Sequence, residues 1–161
     1  MTTQNEIRVS NPVSAEDFDV VKVLFREHEK ELSEEICFQN FDVEMQNIQT
    51  IYSLPKGALL LATYQGEVAG VVGMVGVGEG VCEMKRLYVR PKWRNKGVGK
   101  ILCEKIMRTA KDASFSSMRL ETLYRLDGAI ALYLNQGFKI SEESEKSPPR
   151  DKNIYVMVTS L

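Results

Sequence analysis

The spacing of apolar positions along this chain switches repeatedly between the three-and-four rhythm of a helix and the continuous or alternating rhythm of a strand. Ile7 to Ser10 reads as a short opening strand. Asn11-Pro12 breaks it, and Ser14, with Asp17 three residues on, forms a capping-box arrangement that starts a helix with Phe18, Val21, Leu24 and Phe25 on one face. Glu34 to Asn40 reads as a loop. From Asp42 a single second helix is predicted, with Phe41, Met45, Ile48 and Tyr52 at helical intervals until Leu54-Pro55-Lys56-Gly57 stops the pattern.

The period then changes. Leu59 to Ala62 is a buried-type strand, Gln65-Gly66-Glu67 a hairpin turn, Val68 to Val77 the return strand, and Gly78-Glu79-Gly80 a second turn into Val81 to Val89. Three consecutive antiparallel strands follow from this. Gly70, Gly73 and Gly76 in the middle strand imply a bulge, or a place where something packs close to the backbone. Pro91 ends the third strand, and Gly97 to Ala113 is an amphipathic helix with Val98, Ile101, Leu102, Ile106 and Ala110 inward. Met118 to Thr122 is a strand with Met118, Leu120 and Thr122 opposite Arg119 and Glu121. Asp127 is placed to cap a short helix carrying Ile130, Tyr133 and Leu134, and Gly137 falls at the left-handed position after it. A strand at Phe138 to Ile140, a polar surface loop from Ser141 to Asp151 and a closing strand from Ile154 to Thr159 complete the pattern.

Composition narrows the classes of protein. At 161 residues the chain is expected to form one domain, 1–161. A chain of this size buries roughly 70% of its unfolded surface without help from disulfide or metal. Its 21 basic and 22 acidic residues give a formal net charge of −1, which disfavours nucleic-acid binding by bulk charge. Cys37, Cys82 and Cys103 have no metal-ligand spacing, so no metal is expected. No apolar stretch approaches the ~18 residues that cross a bilayer, so the expectation is a cytoplasmic protein without membrane attachment.

Candidate chemistry concentrates in Leu87-Tyr88-Val89-Arg90-Pro91-Lys92-Trp93-Arg94-Asn95-Lys96-Gly97-Val98-Gly99-Lys100, a strand leading through a basic, glycine-bearing entry into a long helix. Gly97 and Gly99 remove side chains from a helix start whose free amides and dipole favour a pyrophosphate, and Arg94, Lys96 and Lys100 add positive charge. Neither a GxxxxGK[ST] nor a GxGxxG spacing is present, which disfavours an NTPase or dinucleotide enzyme.

The RxxGxG at Arg94 to Gly99, followed some thirty residues later by Ala129-Ile130-Ala131-Leu132-Tyr133-Leu134-Asn135-Gln136-Gly137-Phe138, resembles the GNAT superfamily of acetyl-CoA-dependent N-acetyltransferases. The likeness spans essentially the whole chain, and Cys82 to Val89 is especially similar to a bacterial group of small members. It implies an α/β (α+β) GNAT fold: a mixed, mostly antiparallel sheet with splayed central strands, flanked by about four helices. It implies an N-acetyltransferase moving acetyl from acetyl-CoA to a primary amine of a small molecule or peptide by direct attack in a ternary complex. The alternative is a non-catalytic acyl-CoA-binding or sensing module. A homodimer is the family analogy for assembly.

Residue by residue, the resemblance implies cofactor contacts at Leu87, Tyr88, Val89, Arg94, Asn95, Lys96, Gly97, Val98, Gly99, Lys100, Asp127 and Tyr133. Asp127 stands where the family often has Asn, and a carboxylate cannot donate the hydrogen bond that an amide does. Trp93 either lies on the cofactor or covers the core edge. A lysine-like amine with a pKa of about 10.4 is only ~0.04% neutral at pH 7, so an acceptor must lose a proton before it attacks. Glu83 is the candidate base, or else a solvated or structural partner of a basic residue. Strand alternation places it on the side of Lys85 and Leu87. Tyr133 matches the family tyrosine beside the cofactor sulfur. For the acceptor, Glu31, Phe38, Gln39 and Phe41 are candidate pocket residues. The acidic run of Glu27, Glu29, Glu31, Glu34 and Glu35 either attracts a cationic amine or is a solvated helix face. His28, the sole histidine, reads as packed.

Overall fold

A computed structural model describes residues 6–32, 40–142 and 154–161. The expected loop at Glu34 to Asn40, with Cys37, Phe38 and Gln39, lies almost wholly outside these residues, as does most of Ser141 to Asp151. Strand β1 (Ile7–Ser10) leads to helix α1 (Ala15–Leu32), whose start is the expected capping box: the Ser14 amide donates to Asp17 Oδ2 at 3.1 Å and the Asp17 amide to Ser14 Oγ at 3.1 Å. The predicted second helix is divided. Helices α2 (Phe41–Gln46) and α3 (Ile48–Ile51) meet at Asn47, whose φ of −117° interrupts the helical path, so that among the described residues five helical segments flank the sheet, in keeping with the expected fold.

Strands β2 (Gly57–Tyr64), β3 (Glu67–Gly78) and β4 (Val81–Val89) form the expected meander. Its first turn places Gln65 and Gly66 at φ of 50° and 84°, the left-handed pair that a two-residue hairpin requires. After a 3-10 turn (Pro91–Trp93) come α4 (Val98–Asp112), β5 (Ser117–Leu123), α5 (Asp127–Asn135), β6 (Lys139–Ile140) and β7 (Ile154–Ser160). The sheet order is β1-β2-β3-β4-β5-β7-β6, and β4 with β5 is its parallel pair.

The sheet is covered on both faces, which explains the unbroken apolar run of β2. Leu59 and Leu61 join Val21, Leu24, Phe25, Met45 and Ile48 on the α1 side. Leu60 and Ala62 join Val98, Leu102, Cys103 and Ile106 on the α4 side. One sequence expectation fails at α5. Its N-cap is Leu126 without a side-chain hydrogen bond, so Asp127 is the first helical residue and not the cap, and Leu134 is exposed while Tyr133 is buried.

The β3 glycines serve both expected purposes. The β3–β4 register shifts between Val71 and Gly73 and again between Gly76 and Gly78. A Cβ on Gly73 would lie 2.7 Å from the Tyr52 ring, and one on Gly70 would lie 2.7 Å from the Tyr88 carbonyl oxygen. Because that oxygen belongs to the sheet backbone, it cannot turn aside as a side chain can. Gly70→Ala is expected to destabilise the fold by about 1–3 kcal/mol, measured by urea denaturation.

Candidate active site

The site originates in a bulge. Opposite the single β3 residue Val72, β4 carries two, Arg86 and Leu87, and Arg86 adopts a φ of 61°. A one-residue insertion reverses which face each later side chain meets. Cys82 and Met84 pack on the α4 side, as do Leu87 and Val89, whereas Tyr88 joins the α1-side core. The expectation that Leu87 shares the face of Glu83 and Lys85 is therefore corrected, since simple alternation does not survive the bulge.

Left-handed φ is unfavourable for arginine, and the side chain is held at its far end. Arg86 donates from Nη2 to Glu44 Oε1 at 2.6 Å and from Nε to Oε2 at 3.0 Å, and Tyr52 Oη donates to the same Oε2 at 2.9 Å. Both charged side chains are about nine-tenths buried. Burial alone would raise the Glu44 pKa, but the Arg86 hydrogen bonds and charge outweigh it, and the net shift is downward. Phe41 lies under this pair, with the Arg86 guanidinium 5.7 Å from its ring centroid, as part of the core and away from both clefts described below. The candidate acceptor contact at Phe41 thus packs against the core and lines neither cleft among the described residues.

Beyond the bulge, β4 parts from β5. Their parallel pairing covers Val81 with Ser117, Cys82 with Met118 and Glu83 with Arg119, and then stops, although β4 runs on to Val89 and β5 to Leu123. Backbone groups on the β5-facing edge of β4 consequently border a gap rather than a neighbouring strand.

Two clefts occupy this gap. The first, about 420 Å³, is lined by Leu87, Tyr88, Val89, Arg94, Asn95, Gly97, Gly99, Lys100 and Tyr133, with Trp93, His28 and Glu31 at its border. The α4 helix begins here. Gly97 is its N-cap at φ 91°, and no side chain caps the helix, so amides of the first turn face outward. A Cβ on Gly99 would make only ordinary contacts, the nearest at 3.6 Å, so packing within the protein does not demand the glycine there. Arg94 is aimed by its Nε bond to the Val89 carbonyl at 2.9 Å and by Glu31 at 2.7 Å. Trp93 is stacked on Tyr64 at 4.7 Å, at the core edge, and also lines the cleft. Of the other cofactor candidates, the Val98 side chain is buried in the core, Lys96 lies 5.9 Å from the Tyr64 ring, and Asp127 is exposed outside the cleft lining.

The second cleft, about 530 Å³, carries Glu83, Lys85, Arg86, Arg119 and Glu121, and shares His28, Leu87 and Tyr133 with the first. Tyr133 therefore stands where the two meet. Burial raises its pKa first and the neighbouring Cys103 adds to this, so the phenol keeps its proton at neutral pH. Among the described residues its hydroxyl has no hydrogen-bond partner. Glu83 Oε1 accepts from Arg119 Nη1 at 2.7 Å, and burial raises its pKa despite the opposing charge of Arg119. Arg119 was not singled out from sequence, because its proximity depends on parallel register, for which one strand alone carries no signal.

His28 is also more than packing, since it borders both clefts and faces Tyr88 at 5.4 Å. Burial, then the charges of Arg86 and Arg94, push its pKa down to about 4.

The chain is similar to known acetyltransferases along its length. The model of the acetyltransferase (GNAT) family matches residues 22–138. An uncharacterized N-acetyltransferase of Schizosaccharomyces pombe is 36% identical over 152 residues, covering 92% of each chain. A GNAT-family acetyltransferase structure from Staphylococcus aureus superposes with a TM-score of 0.79 at 19% identity, covering 97% of this chain and 99% of that one. A PaiA N-acetyltransferase of Thermoplasma acidophilum, in complex with coenzyme A, gives a TM-score of 0.71 at 16% identity with coverage of 97% and 99%. The family match and the relative that it agrees with define an acetyltransferase class of enzyme. The chain belongs to the GNAT family of acetyltransferases.

Two measurements check the electrostatics. Arg86→Met leaves Glu44 buried without its partner and is expected to cost about 3–5 kcal/mol in denaturant unfolding. Because the folded Glu44 pKa is depressed, its contribution is complete above the ordinary glutamate value and disappears as pH falls through the depressed one. The His28 resonance, from the sole histidine, should titrate near pH 4 by NMR. Between 6.5 and about 4 the unfolded chain binds this proton and the folded chain does not, so His28 makes stability fall as pH drops through that window.

Proposed function

We propose that the protein transfers acetyl from acetyl-CoA to a primary amine by direct attack while both are bound. The observation that carries this is Tyr133, a protonated phenol with no hydrogen-bond partner among the described residues, at the junction of a cleft suited to CoA and a second cleft holding a carboxylate. The residues fit the cosubstrate: first-turn amides of α4 with Arg94 and Lys100 suit its pyrophosphate, and the open edge of β4 from Leu87 to Val89 suits its amide-bearing arm. The thioester supplies the activated acetyl group and a thiolate leaving group.

Glu83 takes the proton that the ammonium must lose, directly or through one water. Its Oε1 is engaged by Arg119, which leaves Oε2 for the acceptor. The raised pKa brings the carboxylate nearer to the amine in proton affinity, as general-base work favours. The nitrogen then bonds to the acetyl carbon, the C–S bond breaks, and Tyr133 donates its proton to the departing sulfur. Among the described residues no cysteine is set to form a covalent acyl intermediate: Cys82 and Cys103 are buried, with thiol pKa values pushed up to about 11 and about 12.

Acetyl-CoA-dependent thiol release across amino acids, polyamines, aminoglycosides and peptides tests the reading, and CoA binding without release for any of them overturns it. Glu83→Gln should lower kcat by about 100-fold or more, and Tyr133→Phe by about 10- to 100-fold because a thiol is already acidic, both with CoA affinity retained in calorimetry. The acid limb of the rate profile should fall above the ordinary glutamate pKa, with activity lost as pH drops through it, and should disappear in Glu83→Gln.

A further inference from the structure

Around the acceptor cleft the charges balance in number, Glu83 and Glu121 against Arg119 and Lys85, but not in contact, and the cation that no carboxylate touches among the described residues bears on what the acceptor carries besides its amine. Three acidic side chains near the clefts are already engaged: Glu27 with Arg90 at 2.8 Å, Glu31 with Arg94 at 2.7 Å, and Glu44 with Arg86 at 2.6 Å. Within the cleft, Arg119 is shared between Glu83 at 2.7 Å and Glu121 at 3.4 Å. Lys85 lines the same cleft, and among the described residues no carboxylate lies within ion-pair distance of it. It is neither buried nor fully exposed, and its charge acts on both Glu83 and Glu44.

Lys85 follows Glu83 by two residues on β4, before the bulge, so the two project from one face with Cα atoms about 7 Å apart. That interval suits a small molecule with opposite charges at its two ends, each making a charge-assisted contact of about 2.8 Å. A diamine would instead set its second cation against Lys85 and Arg119, which repel it. We propose that the acceptor is a zwitterion, an amino acid or a related compound with a carboxylate close to its primary amine, and that Lys85 receives the carboxylate while the amine meets Glu83. This rests on the acetyltransferase reading above and specifies its substrate class.

The test compares matched acceptors, each amino acid against its carboxamide and its decarboxylated amine, using the full-length protein and acetyl-CoA. The expected result is a kcat/KM about 10- to 100-fold higher for at least one amino acid than for its two neutralised counterparts, the size of one charge-assisted contact. In Lys85→Met that ratio should collapse toward one, and in Lys85→Arg it should be largely restored, with CoA affinity from calorimetry confirming that both variants are folded. Turnover that is equal or faster with the carboxamides, the amines or polyamines overturns the zwitterion proposal and leaves the acetyltransferase reading standing. A ratio unchanged in Lys85→Met overturns the role of Lys85. If no acceptor releases thiol, the acetyltransferase reading fails and this proposal fails with it.

Discussion

The parting of β4 from β5 after the Glu83–Arg119 rung is the constraint on which the rest of the site depends. A parallel pair that continued to Val89 and Leu123 would consume the backbone groups bordering both clefts and leave no space between the strands. The pairing ends just before Arg86, where an extra residue bends β4 and raises its local twist. The bulge needs a left-handed residue, and the chain supplies an arginine rather than a glycine. The guanidinium is then fixed by a buried bidentate bond to Glu44, so a long-range ion pair secures a local backbone departure.

The same rung joins geometry to charge. Glu83 and Arg119 are partners in the ladder and partners in an ion pair at 2.7 Å. The last point at which the strands touch is therefore also where a carboxylate is held beside the gap, with one oxygen committed to Arg119. On the other side, α1 is tied to the exit of β4 by Glu27 to Arg90 and Glu31 to Arg94, four residues apart on each element. These pairs are partly exposed and individually weak. Their effect is positional, because they bring His28 between two clefts and point Arg94 toward the start of α4.

Burial sets the protonation states that this arrangement requires. Tyr133 keeps its proton, Glu83 is less acidic than an exposed glutamate, and His28 is neutral at physiological pH. In each case the leading cause is removal from water, which disfavours the charged form whatever its sign. A single feature of the fold, a cleft between parted strands partly closed over by α1 and α5, thus tunes three groups of different chemistry.

The sequence by itself determined the element order, the capping box at Ser14, the hairpin at Gln65-Gly66, the glycine-bearing start of α4 and the helix that carries Tyr133. These depend on residues within a few positions of one another, where turn chemistry and apolar spacing act directly. It also marked Glu83 as a candidate, though without the side it faces. The tertiary structure alone decided that Arg86 is left-handed, that Leu87 changes faces, that α2 and α3 are separate, that Arg119 meets Glu83, and that His28 reaches both clefts. Apart from the break at Asn47, each of those depends on partners 36 or more residues away or on strand register, as with Arg86 and Glu44, 42 positions apart, or Arg119 and Glu83, 36 apart. Local spacing contains no record of such contacts, because they exist only once the two faces of the sheet have been covered.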